Sequence, residues 1–324
     1  LNVYKFKYSF IIIYRNMNII KFYYILFYMI VFVIITGGCR KVGNSQINDE
    51  VNTINVNGVD REFILYIPST YVSTDTVPLM LNFHGWTMSA SDQMNLSDMR
   101  TLSDSEKFIL LYPQGTKFRN GFYRSTHWNV GSWTTGSTSD DIGFVDKLID
   151  HISVNYNIDL ERIYACGYSN GGFFSHELAC NLSNKIAAIG AVSANMSTRT
   201  RDNCNPSHPT PVITVSGTND NEVSYDGTNF EGQISHNEVL NYWINYNQTD
   251  ANPIISNLPN IDTNDGSTVE LYQYKNGNND VEIEHFKVVD GGHDWPGTYG
   301  NMDIDANSII WGFVSQFDIH GKIK

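Results

Sequence analysis

Apolar residues between positions 51 and 324 fall into two alternating rhythms. Short continuous blocks read PLMLNF at 78–83, FILLY at 108–112, RIYAC at 162–166, AAIGAVS at 187–193 and PVITVS at 211–216. Most of them stop at a glycine or proline. Unbroken apolar runs of this length suit strands covered on both faces. Between them the spacing changes to three and four. After the cap-rich SDD at 139–141, Ile142, Val145, Leu148 and Ile152 line one helical face. Helices are also expected after Ser169, over 236–246 and over 304–317, the last with Ile309, Ile310, Phe313, Val314 and Phe317 together. Two hairpins are expected, 51–57 with 61–67 around Asn57-Gly58, and 269–274 with 281–289 around Asn276-Gly277. The alternation predicts a mostly parallel central sheet with helices on both faces. Ser-, Thr- and Asn-rich stretches at 114–138, 196–210 and 218–235 read as long loops. In an open parallel sheet a ligand lies beyond the C-terminal strand ends, so these loops should build the site.

The N-terminal part follows other rules. Residues 22–35, FYYILFYMIVFVII, are uncharged and apolar, and Lys21 precedes them. The run is short for a membrane-crossing helix of about 20 residues and suits the apolar core of a secretory signal. Small residues before Cys39 resemble the lipidation box of bacterial lipoproteins. Residues 1–38 are therefore expected to be a signal segment, with its true start at Met17, and Cys39 the lipidated residue. Residues 39–50 read as a polar tether and 51–324 as a single domain, exported to the cell envelope or beyond. The formal net charge of −13 disfavours a nucleic-acid partner, which needs a basic footprint. In an oxidising compartment Cys166, inside an apolar strand, is expected to stay a buried thiol, leaving Cys180 and Cys204 as the disulfide pair.

The chemistry concentrates at 161-ERIYACGYSNGGFFSHELAC-180. Gly167-Tyr168-Ser169-Asn170-Gly171 matches G-x-S-x-G at the junction of a strand and a helix. The glycines permit a sharp turn that presents Ser169 at its apex as a nucleophile. A serine needs a base, and the chain order for such a turn is Ser, then an acid, then His. Of the nine histidines, His293 in 290-DGGHDWPG-297 follows a strand late in the chain and is the candidate base. Asp220, in 217-GTNDNEV-223 after strand 211–216, is the candidate acid, with Glu222 and Asp226 as alternatives. The oxyanion donors are expected to be the backbone N–H of Asn170 and of Trp86, the latter in His84-Gly85-Trp86. His84 reads as a structural hydrogen-bonding residue. No ligand-spaced His/Cys cluster, Walker motif or dinucleotide fingerprint is present, so neither metal nor cofactor is expected.

HGW at 84–86, YPQGT at 112–116, DDIGFV at 140–145, RIYACGYSNGG at 162–172, ELAC at 177–180, GTND at 217–220 and GGHDWPG at 291–297 stand in one order. Together they resemble the secreted polyhydroxybutyrate depolymerase and feruloyl esterase family of α/β-hydrolases, over about residues 52–318. The resemblance implies an α/β-hydrolase fold and an esterase with Ser169, Asp220 and His293 as its triad. Flat aromatic faces in the loops, Phe122, Tyr123, Trp128, Trp133 and Trp295, suit a cinnamoyl ring or a sugar. Trp128, Trp295 and Tyr168 are the expected pocket residues. With no polymer-binding domain expected, a feruloyl-type esterase on plant polysaccharide esters is favoured over a polyhydroxybutyrate depolymerase. A serine peptidase and a non-catalytic binding lipoprotein are the remaining alternatives.

Overall fold

The structure is a computed structural model that describes residues 51–120, 123–229 and 231–324. The expected signal segment, Cys39 and the tether lie outside the described residues, as do Phe122 and the side chain of Tyr123.

The first hairpin forms where its turn sequence predicts. β1 (Val51–Val56) pairs antiparallel with β2 (Val59–Tyr66), and Val56 stands opposite Val59. Asn57 and Gly58 take φ of 53° and 85°, a region both residue types tolerate. β3 (Val77–Phe83) and β4 (Ile109–Pro113) are buried along their whole length. Two short helices lie between them, α1 (Ala90–Leu96) and α2 (Arg100–Glu106), which the apolar spacing does not mark. The start of α1 is local chemistry: the Ser89 hydroxyl accepts from Asp92 N–H and the Asp92 carboxylate accepts from Ser89 N–H.

The stretch 114–138 is not the open loop expected. β5 (Thr116–Asn120) and β6 (Tyr123–His127) make a second hairpin, and a single 3₁₀ turn follows at Ser132–Thr134. Polar residues through both strands hide their rhythm in the sequence. α3 (Asp141–Asn155) begins with Asp140, whose carboxylate accepts from Gly143 N–H. Then come β7 (Ile158–Tyr168), α4 (Asn170–Asn181), β8 (Ala188–Val192) and α5 (Thr198–Asp202). The last is a helical turn inside the expected loop 196–210, started by the Ser197 hydroxyl on Thr200 N–H. β9 (Val212–Gly217), α6 (His236–Asn247), β10 (Ile254–Asn257), β11 (Thr268–Tyr274) and β12 (Ile283–Val289) follow. α7 (Ala306–Val314) is shorter than the 304–317 expected, because Phe317 opens β13 (Phe317–Asp318), which pairs with β14 (Gly321–Lys322).

Ten strands form one sheet in the order β1-β2-β4-β3-β7-β8-β9-β12-β11-β10. Its centre, from β4 to β12, is parallel; β1, β2, β10 and β11 extend it antiparallel. Strand alternation divides the core in two. Leu79, Leu81 and Phe83, Ile109 and Leu111, and Ile163 and Ala165 join Phe144, Phe174 and Trp243 from α3, α4 and α6. Met80, Leu110 and Tyr112, and Tyr164 and Cys166 point the other way, to Met94 of α1 and Trp311 of α7. Cys180 and Cys204 are joined in a disulfide across the α4–α5 connection, and Cys166 is a buried thiol.

Five histidines are buried among the described residues: His84, His127, His176, His236 and His285. Burial depresses the pKa of each, to about 4 for His84, about 3 for His176 and His236, well below the usual value for His285, and downward for His127. The unfolded chain binds protons at these groups below about pH 6.5, while the native state stays neutral. Unfolding therefore takes up protons there, and stability falls as pH drops below 6.5, by up to about 1.4 kcal/mol per pH unit per histidine. The thermal midpoint should be lower at pH 5.5 than at pH 7.5. An unchanged midpoint across that interval would contradict neutral burial.

Candidate active site

The turn from β7 into α4 is forced by close packing. A Cβ on Gly167 would stand 2.4 Å from the carbonyl carbon of Gly171, and one on Gly171 would stand 2.1 Å from the carbonyl oxygen of Phe83. Only glycine fits either position. Between them Ser169 takes φ 53° and ψ −118°, a strained conformation costing on the order of 1–3 kcal/mol. Its N–H donates to Val192 O of the neighbouring β8 at 2.9 Å, and its side chain makes no capping bond to α4. The hydroxyl is left facing a cavity of about 640 Å³ lined by Gly85, Trp86, Met88, Trp133, Tyr168, Ser169, Glu222, Val223 and His293, among others.

His293 arrives on the loop after β12. Its Nδ1 lies 2.7 Å from Asp220 Oδ2, so the imidazole donates there. The other oxygen, Asp220 Oδ1, accepts the N–H of Glu222 at 2.8 Å and of Val223 at 2.7 Å. Asp220 is buried after β9, and it is this carboxylate, rather than Glu222 or Asp226, that holds the histidine. Glu222 instead lies exposed on the cavity wall. The two loops are tied together: Asn219 N–H donates to Gly291 O at 2.9 Å and Asp290 N–H to Thr218 Oγ1 at 2.8 Å. The hydroxyls of Tyr168 and Tyr299 converge on the carbonyl of His293, at 2.8 and 2.9 Å. Tyr168 is thus both a wall of the cavity and a brace for the histidine loop.

Asn170 is the first residue of α4, so its N–H has no partner within the helix and sits where the helix dipole favours negative charge. The loop carrying Trp86 comes close to Ser169: a Cβ on Gly85 would be 3.5 Å from Ser169 Cβ. Met88 N–H donates to Gly85 O at 3.2 Å, closing a turn in which Thr87 takes φ 68°. That is an uncommon conformation for a β-branched residue. His84 is buried beneath. Its Nε2 accepts Gly115 N–H at 2.9 Å and its Nδ1 lies 2.7 Å from Gly85 O, which fixes a neutral ring with the proton on Nδ1.

Two expected pocket residues are elsewhere. Trp128 is wholly buried, stacked on Phe174 with centroids 4.9 Å apart, and its Nε1–H donates to His84 O at 3.0 Å. Trp295 is also wholly buried, under the Tyr168 ring, with its indole N–H on Asn307 Oδ1 at 3.2 Å. A tryptophan gains most from full burial when its N–H finds a partner, and both do. The aromatic walls of the cavity are Trp86, Trp133 and Tyr168. Sequence reasoning also missed the Asn170 side chain, whose Oδ1 accepts Trp128 N–H at 2.7 Å while its Nδ2–H donates to Trp128 O at 3.1 Å. No motif signals that pairing across the chain. Among the described residues no cluster of three His, Cys, Asp or Glu side chains could hold a metal ion.

The family model described as esterase PHB depolymerase matches residues 61–203, which include β3, the serine turn and Cys180. Over that span the chain is similar to the polyhydroxybutyrate depolymerase and feruloyl esterase family. A bifunctional acetylxylan esterase/xylanase of Neocallimastix patriciarum is 28% identical to this chain over 268 residues, covering 82% of the chain and 35% of the relative. Feruloyl esterase B of Piromyces equi is 27% identical over 271 residues, covering 80% and 46%. The chain thus spans about a third to a half of the length of these curated relatives. Among solved structures, the acetyl xylan esterase from Aspergillus awamori matches with a TM-score of 0.57 at 13% identity, over 82% of this chain and 99% of that one. A ferulic acid esterase from Anaeromyces mucronatus matches with a TM-score of 0.51 at 16% identity, over 85% and 96%. The chain therefore has the α/β-hydrolase fold, with its mostly parallel sheet sandwiched between helices.

Proposed function

We propose that this chain is a carboxylic ester hydrolase working through Ser169, His293 and Asp220. The observation that carries the reading is the 2.7 Å bond between His293 Nδ1 and Asp220 Oδ2, beside a strained Ser169 that shares a cavity with His293. With Nδ1–H held by Asp220, the lone pair of Nε2 is free to act as base. Ser169 Oγ attacks the ester carbonyl and His293 takes its proton. The tetrahedral oxyanion lies against the N–H groups of Asn170 and Trp86. His293 returns the proton to the departing alcohol, leaving an acyl-serine. Water then attacks with the same base and releases the acid and the free serine.

The acyl group we favour is aromatic, as in a feruloyl ester of a plant polysaccharide. Trp86, Trp133 and Tyr168 supply flat apolar faces around Ser169, and curated relatives include a feruloyl esterase and an acetylxylan esterase. Polyhydroxybutyrate oligomers are the second reading, favoured by the description of the matching family model. Rates on methyl ferulate, acetylated xylan and a hydroxybutyrate oligomer decide between them. Methyl ferulate should be cleaved fastest; oligomer cleavage outrunning ferulate release would make it a polyester hydrolase.

Export with a lipid anchor on Cys39 is part of the same proposal, supported by the apolar run at 22–35 and the small residues before the cysteine. Cys39→Ser should move the protein out of the membrane fraction. A variant that stays there would remove the lipid from the reading.

A further inference from the structure

Trp128 lies in the core, yet most of its polar contacts are to the two segments that present the oxyanion donors. The short strap Thr126–Trp128 at the end of β6 grips the Trp86 loop on one side. Thr126 O accepts Thr87 N–H at 3.0 Å, the Thr126 hydroxyl donates to Met88 O at 2.5 Å, and the Trp128 indole N–H donates to His84 O at 3.0 Å. On the other side the Trp128 backbone is closed into a ring by the side chain of Asn170, donating to Oδ1 at 2.7 Å and accepting from Nδ2 at 3.1 Å. The Trp128 ring cannot drift, because it is stacked on Phe174 at an interplanar angle of 7° and meets Phe83 edge-on at 5.1 Å. One rigid residue therefore bridges the segment before Trp86 and the first residue of α4.

We propose that Trp128 and the Asn170 side chain are positioning residues that set the separation of the two oxyanion donors, the N–H groups of Trp86 and Asn170. This rests on the esterase reading above. The physical need is clear. Oxyanion donors contribute to rate only when preorganised at hydrogen-bond distance from where the charge develops. The Trp86 loop has no regular secondary structure, and Thr87 in it holds a strained backbone. Strain persists only where surroundings over-determine it. Asn170 is suited to a double duty: its backbone N–H faces the reaction while its amide side chain, with one acceptor and one donor, matches the complementary pair on a single peptide residue.

Two variants separate positioning from mere stability. Trp128→Phe keeps an aromatic ring for the Phe174 stack and removes the bond to His84 O. Asn170→Ala removes the ring of bonds to Trp128 and leaves the N–H in place. Active serine is counted by fluorophosphonate titration, so kcat is expressed per competent site whatever fraction folds. Each variant should lose about 10–100-fold in kcat per site with KM changed less than about twofold, short of the 10²–10³-fold cost of losing a donor outright. The affinity of an alkylboronic acid, whose tetrahedral adduct on serine places an oxygen against the donors, should fall in parallel. The double variant should lose less than the product of the two, since both act through Trp128. A kcat per titrated site within twofold of the parent in both variants would overturn the proposal, even with a lowered melting temperature. So would a loss in kcat without any loss in boronate affinity. A parent that takes up no fluorophosphonate would sink the esterase reading itself, and the proposal with it.

Discussion

Ser169→Ala should leave a protein that folds and has almost no turnover. The loss in kcat on an aryl ester is expected to be on the order of 10⁶-fold, the scale seen when an activated serine is removed from a triad. The residual rate would come from binding and the oxyanion donors alone. The fold should be unaffected for two reasons. The Ser169 side chain makes no capping bond to α4, so its removal orphans no helix N–H. Alanine also carries the same Cβ into the strained backbone at φ 53°, so no new strain is added. Stability should stay within about 0.5 kcal/mol of the parent. Steady-state kinetics together with a thermal melt test both halves. A variant retaining a hundredth of the parental kcat would mean another group is the nucleophile.

Asp220→Asn is the second large effect, expected at about 10⁴-fold in kcat. The substitution is instructive because it preserves shape. The asparagine carbonyl oxygen can still accept the N–H groups of Glu222 and Val223, which Asp220 Oδ1 accepts at 2.8 and 2.7 Å. The loop should hold. What changes is the group facing His293 Nδ1, where an acceptor becomes a donor. The imidazole must then present its lone pair at Nδ1 and carry its proton on Nε2, where it cannot take the proton of Ser169. KM should change little, since Asp220 does not line the cavity. Retention of a tenth or more of the parental kcat, measured at equal active-site concentration, would show that Asp220 does not set the tautomer.

How much of this was legible before the structure follows from the range of each interaction. Asn57-Gly58 predicted its hairpin because the turn is decided by the φ preferences of two adjacent residues. The serine turn was legible for the same reason. Gly167 and Gly171 answer to backbone collisions within a few ångströms. The hairpin of β5 and β6 is not legible in the sequence, because its strands lack the apolar alternation that burial on a sheet face imposes. Phe317 continues the helical spacing and so predicts a longer α7, yet it is buried from a two-residue strand instead. Spacing alone cannot tell those apart.

Tryptophan is where sequence and structure differ most. Trp128 and Trp295 stand in loops beside the candidate catalytic segments, which predicts a place at the pocket, yet both lie in the core, while Trp86 and Trp133 line the cavity. All four have the same ring. The acceptors that meet the two buried indoles, His84 O for Trp128 and Asn307 Oδ1 for Trp295, come from other parts of the chain.

The amino-acid sequence by itself determined the strand and helix rhythm, the strained turn at Ser169 and the candidates for its acid and base, since each rests on residue type and near-neighbour spacing. The tertiary structure alone decided that Asp220, 73 positions before His293, is the carboxylate on that histidine. It also decided that the Asn170 side chain closes on Trp128, 42 positions earlier. Such partners meet only when parallel strands with intervening helices bring distant loops to one sheet edge. The choice among several chemically equivalent partners is made there, by distance and burial.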